Sequence, residues 1–198
     1  GRANAATDPA AEKYVGDNLT MVLNVLSDRA LSTEARASQF RTLMSRFGDI
    51  PRVANFVLGR YSALLRQDVA LNRDWQAAFV DYGVAVYQDQ LDQFRGNQMR
   101  VTGSIVRTPG RDVIVRTEIT PRGQTRPMPV QWRVLNNGGA WKAVDVSLVL
   151  EGSEIWLAQQ QQRDFLAMLD RNKGNIRALI ATINQQTQTM RARIAARR

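Results

Sequence analysis

The chain contains no cysteine and no histidine. Without them the usual zinc sites, Ser–His and Cys–His nucleophile pairs and imidazole acid–base chemistry are all unavailable. An enzyme would have to work with carboxylates, Tyr, Lys or Arg alone. The lack of Cys also rules out a disulfide framework, and leaves the redox compartment open. Long apolar runs are missing too: none approaches the ~20 residues that a bilayer-spanning helix needs. What remains is globular in character. The 198 residues are 44% hydrophobic and 23% charged, enough for one domain with a real core and too apolar for a disordered chain.

Acidic residues are absent from one segment in particular. Residues 171–198 carry Arg171, Lys173, Arg177, Arg191, Arg193, Arg197 and Arg198 and no Asp or Glu, which is +7 of the net +9. The first 170 residues hold 20 basic and 18 acidic groups and are nearly neutral. A basic end suits an anionic partner, or simply keeps a solvated helix end soluble. The segment has no aromatic residue, so base stacking is missing where the charge is, and nucleic acid is not an expected partner. Gly1 to Thr7 are small and polar with no initiator Met, which is read as a chain whose targeting segment has been removed.

Helical signals fill the first half. Asp8-Pro9 is a cap followed by a first-turn proline, and Val15, Leu19, Val22 and Leu26 then recur at helical spacing. A second helix follows Leu31-Ser32, with Phe40, Leu43, Met44 and Phe47 on one stripe. Gly48-Asp49-Ile50-Pro51 breaks it and starts a short third helix through Val53, Phe56 and Val57 to Gly59. A longer helix is predicted from about Asn72 to Phe94, with Trp75, Phe79, Tyr82 and Val86 aligned and Gly96-Asn97 as its stop.

The period then changes from helix to strand. Val101–Arg107, Val113–Thr120, Val130–Asn136 and Trp141–Leu150 are β-rich runs separated by Gly- and Pro-containing turns. Short connections make them antiparallel hairpins, hence a four-stranded meander. Val113, Val115 and Ile119 oppose Arg116 and Glu118, and Val130, Trp132 and Val134 oppose Gln131 and Arg133, so one face is apolar and the other wet. In the last strand Val144, Val146 and Leu148 are placed on one face and Asp145 and Ser147 on the other. Helices resume with Phe165 and Leu169, then after Gly174 with Asn175 as cap and Ile176, Leu179, Ile180 and Ile183 as stripe. The expected architecture is α+β, a helical layer on a curved four-stranded antiparallel sheet, with one domain over residues 1–184. Beyond Asn184 the run Gln185-Gln186-Thr187-Gln188-Thr189 has no apolar stripe. Residues 185–198 are therefore expected to extend from the domain, with Arg191, Arg193, Arg197 and Arg198 touching an acidic partner or an anionic membrane surface.

Several of these residues form a familiar series. Phe56-Val57-Leu58-Gly59-Arg60-Tyr61, the amphipathic helix ending in Tyr87, Val130-Gln131-Trp132-Arg133, Trp141-Lys142-Ala143-Val144-Asp145-Val146, and the closing Arg163-Asp164-Phe165, Gly174 and Leu179-Ile180 occur in this order. Over roughly residues 10–184 they resemble the MlaC, or toluene-tolerance, family of periplasmic phospholipid-binding proteins. The resemblance implies a nuclear-transport-factor-like cone enclosing acyl chains in an apolar cavity, located in the periplasm. It also implies partnership with an outer-membrane lipoprotein complex and an inner-membrane MCE-type ABC transporter, with lipid ferried and no chemistry done. No cofactor beyond the lipid is expected, and the protein is expected to be a monomer. Two departures stand out: Glu151-Gly152 comes late, suggesting an insertion between Val146 and Arg163, and the usual Thr-Pro helix start after Tyr61 is replaced by Ser62–Asn72.

The residues named for the cavity are Val57, Tyr61, Phe79, Tyr82, Val86, Val101, Val115, Trp132 and Val146, each of which is ordinary core on its periodicity alone. Arg60, beside an apolar segment, is the head-group candidate; its ordinary alternatives are an ion pair with a carboxylate such as Asp81 or Asp145, or simple solvation. Two other readings stay open. A hopanoid or another lipid fits the same features, and a cone-fold hydrolase or isomerase would have to use Asp81, Asp145, Tyr82 and Tyr87.

Overall fold

A computed structural model describes residues 6–92 and 98–197. The expected helix end at Phe94, the Gly96-Asn97 stop, Arg198 and the first five residues lie outside the described residues. The chain groups into two compact units, one from residues 1–49 with 93–157 and one from residues 50–92 with 158–198.

The first unit contains α1 (Pro9–Ser27), α2 (Thr33–Phe47) and the strands β1 (Met99–Thr108), β2 (Asp112–Ile119), β3 (Met128–Asn137), β4 (Ala140–Leu150) and β5 (Ser153–Trp156). Local chemistry explains the helix starts. The Asp8 carboxylate accepts the Ala11 N–H and Pro9 enters the first turn, while the Ser32 hydroxyl accepts the Ala35 N–H. Between the helices, buried Arg36 donates to the carbonyls of Asp28 (2.6 Å) and Leu31 (3.1 Å), which fixes the turn. The strands form one antiparallel meander in sequence order.

Among the described residues there are five strands, not the four expected. β5 follows a two-residue turn at Glu151-Gly152, both with positive φ (52° and 80°), so the late Glu-Gly is a hairpin turn. A second difference lies within β4. Arg133 pairs with Asp145 but Val134 pairs with Ala143, so Val144 is the extra residue of a bulge. Ala143, and not Val144, therefore shares the face of Val134 and Val146. α1 lies against β1 and β2, and α2 against β4, where the Asp49 N–H donates to the Ala143 carbonyl at 2.9 Å.

The second unit is helical: α3 (Ile50–Phe56), a 3₁₀ helix (Gly59–Gln67), α4 (Val69–Leu91), α5 (Leu157–Arg171) and α6 (Ile176–Ala196). α4 begins three residues earlier than expected because Asp68 caps it, accepting the Leu71 N–H at 3.0 Å. The stretch Ser62–Asn72 that departs from the family pattern thus holds most of the 3₁₀ helix and the cap. Trp75, Phe79, Phe165, Leu169, Ile176, Leu179 and Ile183 are the centre of one buried cluster. Burying each such side chain stabilises the fold by about 1.5–3 kcal/mol.

The boundary expected at Gln185 has no counterpart, since α6 continues to Ala196 with Thr187 and Ile194 buried. The Thr187 hydroxyl donates to the Ile183 carbonyl (2.8 Å), so a polar residue extends the stripe. Among the described residues no helix is long and apolar enough to cross a membrane.

Candidate functional site

The residues named from the sequence fall into two sets. In the sheet unit, Val115, Trp132 and Val146 are direct partners on β2, β3 and β4, a row across one face. All three are buried. The Trp132 indole donates to the Thr117 hydroxyl (3.2 Å), which donates in turn to the Val130 carbonyl (2.5 Å). Phe47 of α2 packs on Trp132 with centroids 5.2 Å apart, and Tyr14 of α1 packs on Phe47 at 5.6 Å. The Tyr14 hydroxyl donates to the Phe47 carbonyl at 2.6 Å, and burial pushes its pKa up to about 12. Val101 is half-buried at the far edge of the same face. A Cβ on Gly16 would sit 3.2 Å from Val101 Cγ2, so the glycine permits α1 to approach β1.

The opposite face of the sheet is polar as predicted. Arg133 donates to both oxygens of Asp112 (3.1 and 2.9 Å), which raises its pKa above the ordinary value, and Glu154 accepts from Gln131 and Ser147 at 2.8 Å each.

In the helical unit, Val57 and Phe79 are fully buried and Val86 nearly so, while Tyr61 and Tyr82 are partly buried against the same cluster. Phe79 and Tyr82 belong to a four-ring group with Trp75 and Phe165, at centroid distances of 5.7–6.2 Å. The Trp75 indole donates to the Ala54 carbonyl at 2.8 Å. Burial and then the charge of Asp164 raise the Tyr82 pKa.

Arg60 has neither of its anticipated partners. It pairs with Asp170, donates to the Tyr61 hydroxyl (3.0 Å) and stacks on the Tyr61 ring at 4.6 Å. Tyr61 also donates to Asp170 (2.6 Å), and that bond raises its pKa. Asp81 pairs instead with Arg191 (3.6 Å), and Asp145 accepts the Val146 N–H at 2.8 Å while standing opposite Arg133.

The expectation that the last arginines project from the domain is corrected. Arg191, Arg193 and Arg197 lie along α4: Arg193 pairs with Asp89 at 2.7 Å, and Arg197 with Asp89 and with Asp92, the latter at 3.2 Å. Burial acts against ionisation of Asp89, but its bonds to Arg193 and Arg197 prevail and hold its pKa below the ordinary carboxylate value. The missed signal was complementary spacing. Asp74, Asp81 and Asp89 recur every two turns along α4, and Arg177, Arg191 and Arg193 meet them from α6.

Among the described residues, two of the open grooves lie within the sheet unit, and neither of these contains a residue named for the cavity. One of about 640 Å³ is bordered by Met99, Arg100, Glu118 and Pro127; the other, about 420 Å³ and more apolar, lies between Met21 and Val25 of α1 and Leu43 of α2.

Comparison with protein families matches residues 17–185 to the model described as MlaC protein. Comparison with curated proteins finds no match. Among solved structures, the chain is similar to a phospholipid-binding protein from Ralstonia solanacearum, determined in complex with a phospholipid. The TM-score is 0.72 at 18% identity, covering 91% of this chain and 98% of that one.

Proposed function

This chain belongs to the MlaC family, and from that premise we propose that it is a periplasmic carrier that holds a phospholipid by its acyl chains. The observation that carries the reading is the fold it shares, over nearly its whole length, with a protein that holds a phospholipid. Each methylene removed from water is worth ~0.8 kcal/mol, so two long acyl chains represent on the order of 25 kcal/mol. A carrier must cover nearly all of that surface. The nine apolar positions named from the sequence are the proposed lining, and the lipid exchanges with an outer-membrane lipoprotein complex and an inner-membrane MCE-type ABC transporter. Transport then runs toward whichever partner binds lipid more strongly.

Carriage without chemistry is supported by the residues present. His and Cys are absent, and the carboxylates an enzyme would need are engaged, Asp81 by Arg191 and Asp145 by a backbone amide. Native mass spectrometry of the purified chain should show one bound phospholipid, released on extraction. Val115→Trp and Val146→Trp should lose that lipid at an overpacking cost of about 1–3 kcal/mol. A chain purified without lipid that takes none from vesicles, or variants that keep full lipid content, would defeat the carrier reading or its lining respectively.

A further inference from the structure

One end of the helical unit gathers features that neither the core nor the lipid site uses. α4 starts there at Val69, which is 84% exposed. Leu64, near the end of the 3₁₀ helix, is 38% exposed. The α5–α6 turn meets it at this end: a Cβ on Gly174 would lie 2.9 Å from the Tyr61 ring and 3.9 Å from Leu64 Cδ1. Gly174 has φ +77° and donates to the Leu169 carbonyl at 2.7 Å, so the turn is tightly defined. Arg177 in the first turn of α6 pairs with Asp74 in the second turn of α4 at 3.0 Å, which brings the starts of the two helices together.

The charge at this end is unbalanced. Residues 60–74 and 170–177 carry six basic side chains and three carboxylates. Every one of those carboxylates has local work: Asp170 holds Arg60 and Tyr61, Asp74 holds Arg73 and Arg177, and Asp68 caps α4. Arg66, Arg171 and Lys173 form no ion pair among the described residues. The arginines of the α6 C-terminal half are in the opposite condition, held against the carboxylates of α4.

We propose that this end of the helical unit, with Val69 and Leu64 flanked by Arg66, Arg171 and Lys173, docks on anionic membrane surfaces. Charge complementarity selects the surface: surplus cations meet anionic head groups while the two apolar side chains enter the interfacial layer. A fluid interface needs no matching relief, whereas a protein partner would need a larger apolar core than two side chains supply. Docking at this end does not depend on whether the chain also carries lipid, and the two are read out separately.

The test is flotation of the full chain with vesicles of phosphatidylcholine alone or mixed with phosphatidylglycerol, at low and high salt. The chain should bind the mixed vesicles at low salt and release at high salt. V69D should weaken binding roughly fivefold, the effect of about one interfacial charge, and K173E, a change of two charges, roughly thirtyfold, both with unchanged thermal unfolding. R193Q, which alters only a paired arginine, should bind like the parent. Equal binding of V69D and K173E to the parent, equal binding to phosphatidylcholine alone, or no vesicle binding by the parent would each overturn the proposal. Capture of the parent by polyglutamate without vesicle binding would assign the patch to an acidic protein instead.

Discussion

In the sheet unit, successive strands are joined by backbone ladders, and the polar side chains of one face lie on that scaffold. Arg133 and Asp112 sit across an established strand pair, and the aromatic sequence Tyr14, Phe47, Trp132 fills the apolar face behind it. The helical unit has no such ladder. Its helices satisfy their own amides, so the assembly rests on one apolar cluster and on side chains reaching from α6 to α4. The same kind of residue therefore has different weight in the two places: a surface ion pair decorates the sheet but helps to set the register of two parallel helices.

The largest test of this contrast removes one indole from each unit. Trp75→Ala and Trp132→Ala should each cost about 3–5 kcal/mol in denaturant unfolding followed by circular dichroism, the first also leaving the Ala54 carbonyl without its donor. If the units unfold separately, each variant shifts its own transition; a shared shift would show a single cooperative block. Next comes Gly174→Ala, which must hold φ +77° and meet Tyr61, at a cost of about 1–3 kcal/mol seen as a lowered melting temperature.

The Tyr14 contact is expected to fail in alkali. Because burial raises its pKa to about 12, the neutral phenol contributes fully below the unfolded value near ~10 and is lost as pH rises through 12. Tyr14→Phe should lower stability by about 1 kcal/mol at neutral pH and flatten that alkaline decline.

The Asp89 contact is expected to fail in acid. Its pKa is lowered in the folded chain, so its contribution is present above the ordinary carboxylate range and disappears as pH falls through the lower folded value. Asp89→Asn should lower stability by about 1 kcal/mol at neutral pH, with the difference from the parent shrinking in acid and in high salt. Smallest is Lys13→Ala, which breaks an exposed pair with Asp17 on α1 and should change stability by less than about 0.5 kcal/mol. A larger loss there would show that surface pairs matter equally in both units.

Much of the fold was legible because its signals are local. The caps at Asp8, Ser32 and Asn175, the stripes of α1 and α4 and the alternation of β2 and β3 can each be read within a few residues. β5 was missed because four residues are too few to show a period, although positive-φ Glu151-Gly152 marked its turn. The sheet half of the candidate lining was legible as a row, since register follows from the hairpins. The partner of Arg60 was not, because Asp170 lies more than a hundred positions away and Asp81 and Asp145 looked equally suitable.

Sequence alone determined the fold class, the order of the longer elements, the polarity of the two sheet faces and the absence of imidazole and thiol chemistry, because composition and short-range periodicity are properties of the chain itself. Only the tertiary structure decided that Val144 is a bulge, that α6 runs on to Ala196, and that its arginines are taken by Asp81, Asp89 and Asp92. A charge pair depends on which surfaces meet, and the position of a bulge depends on the partner strand. Neither is written in the local pattern of the residues involved.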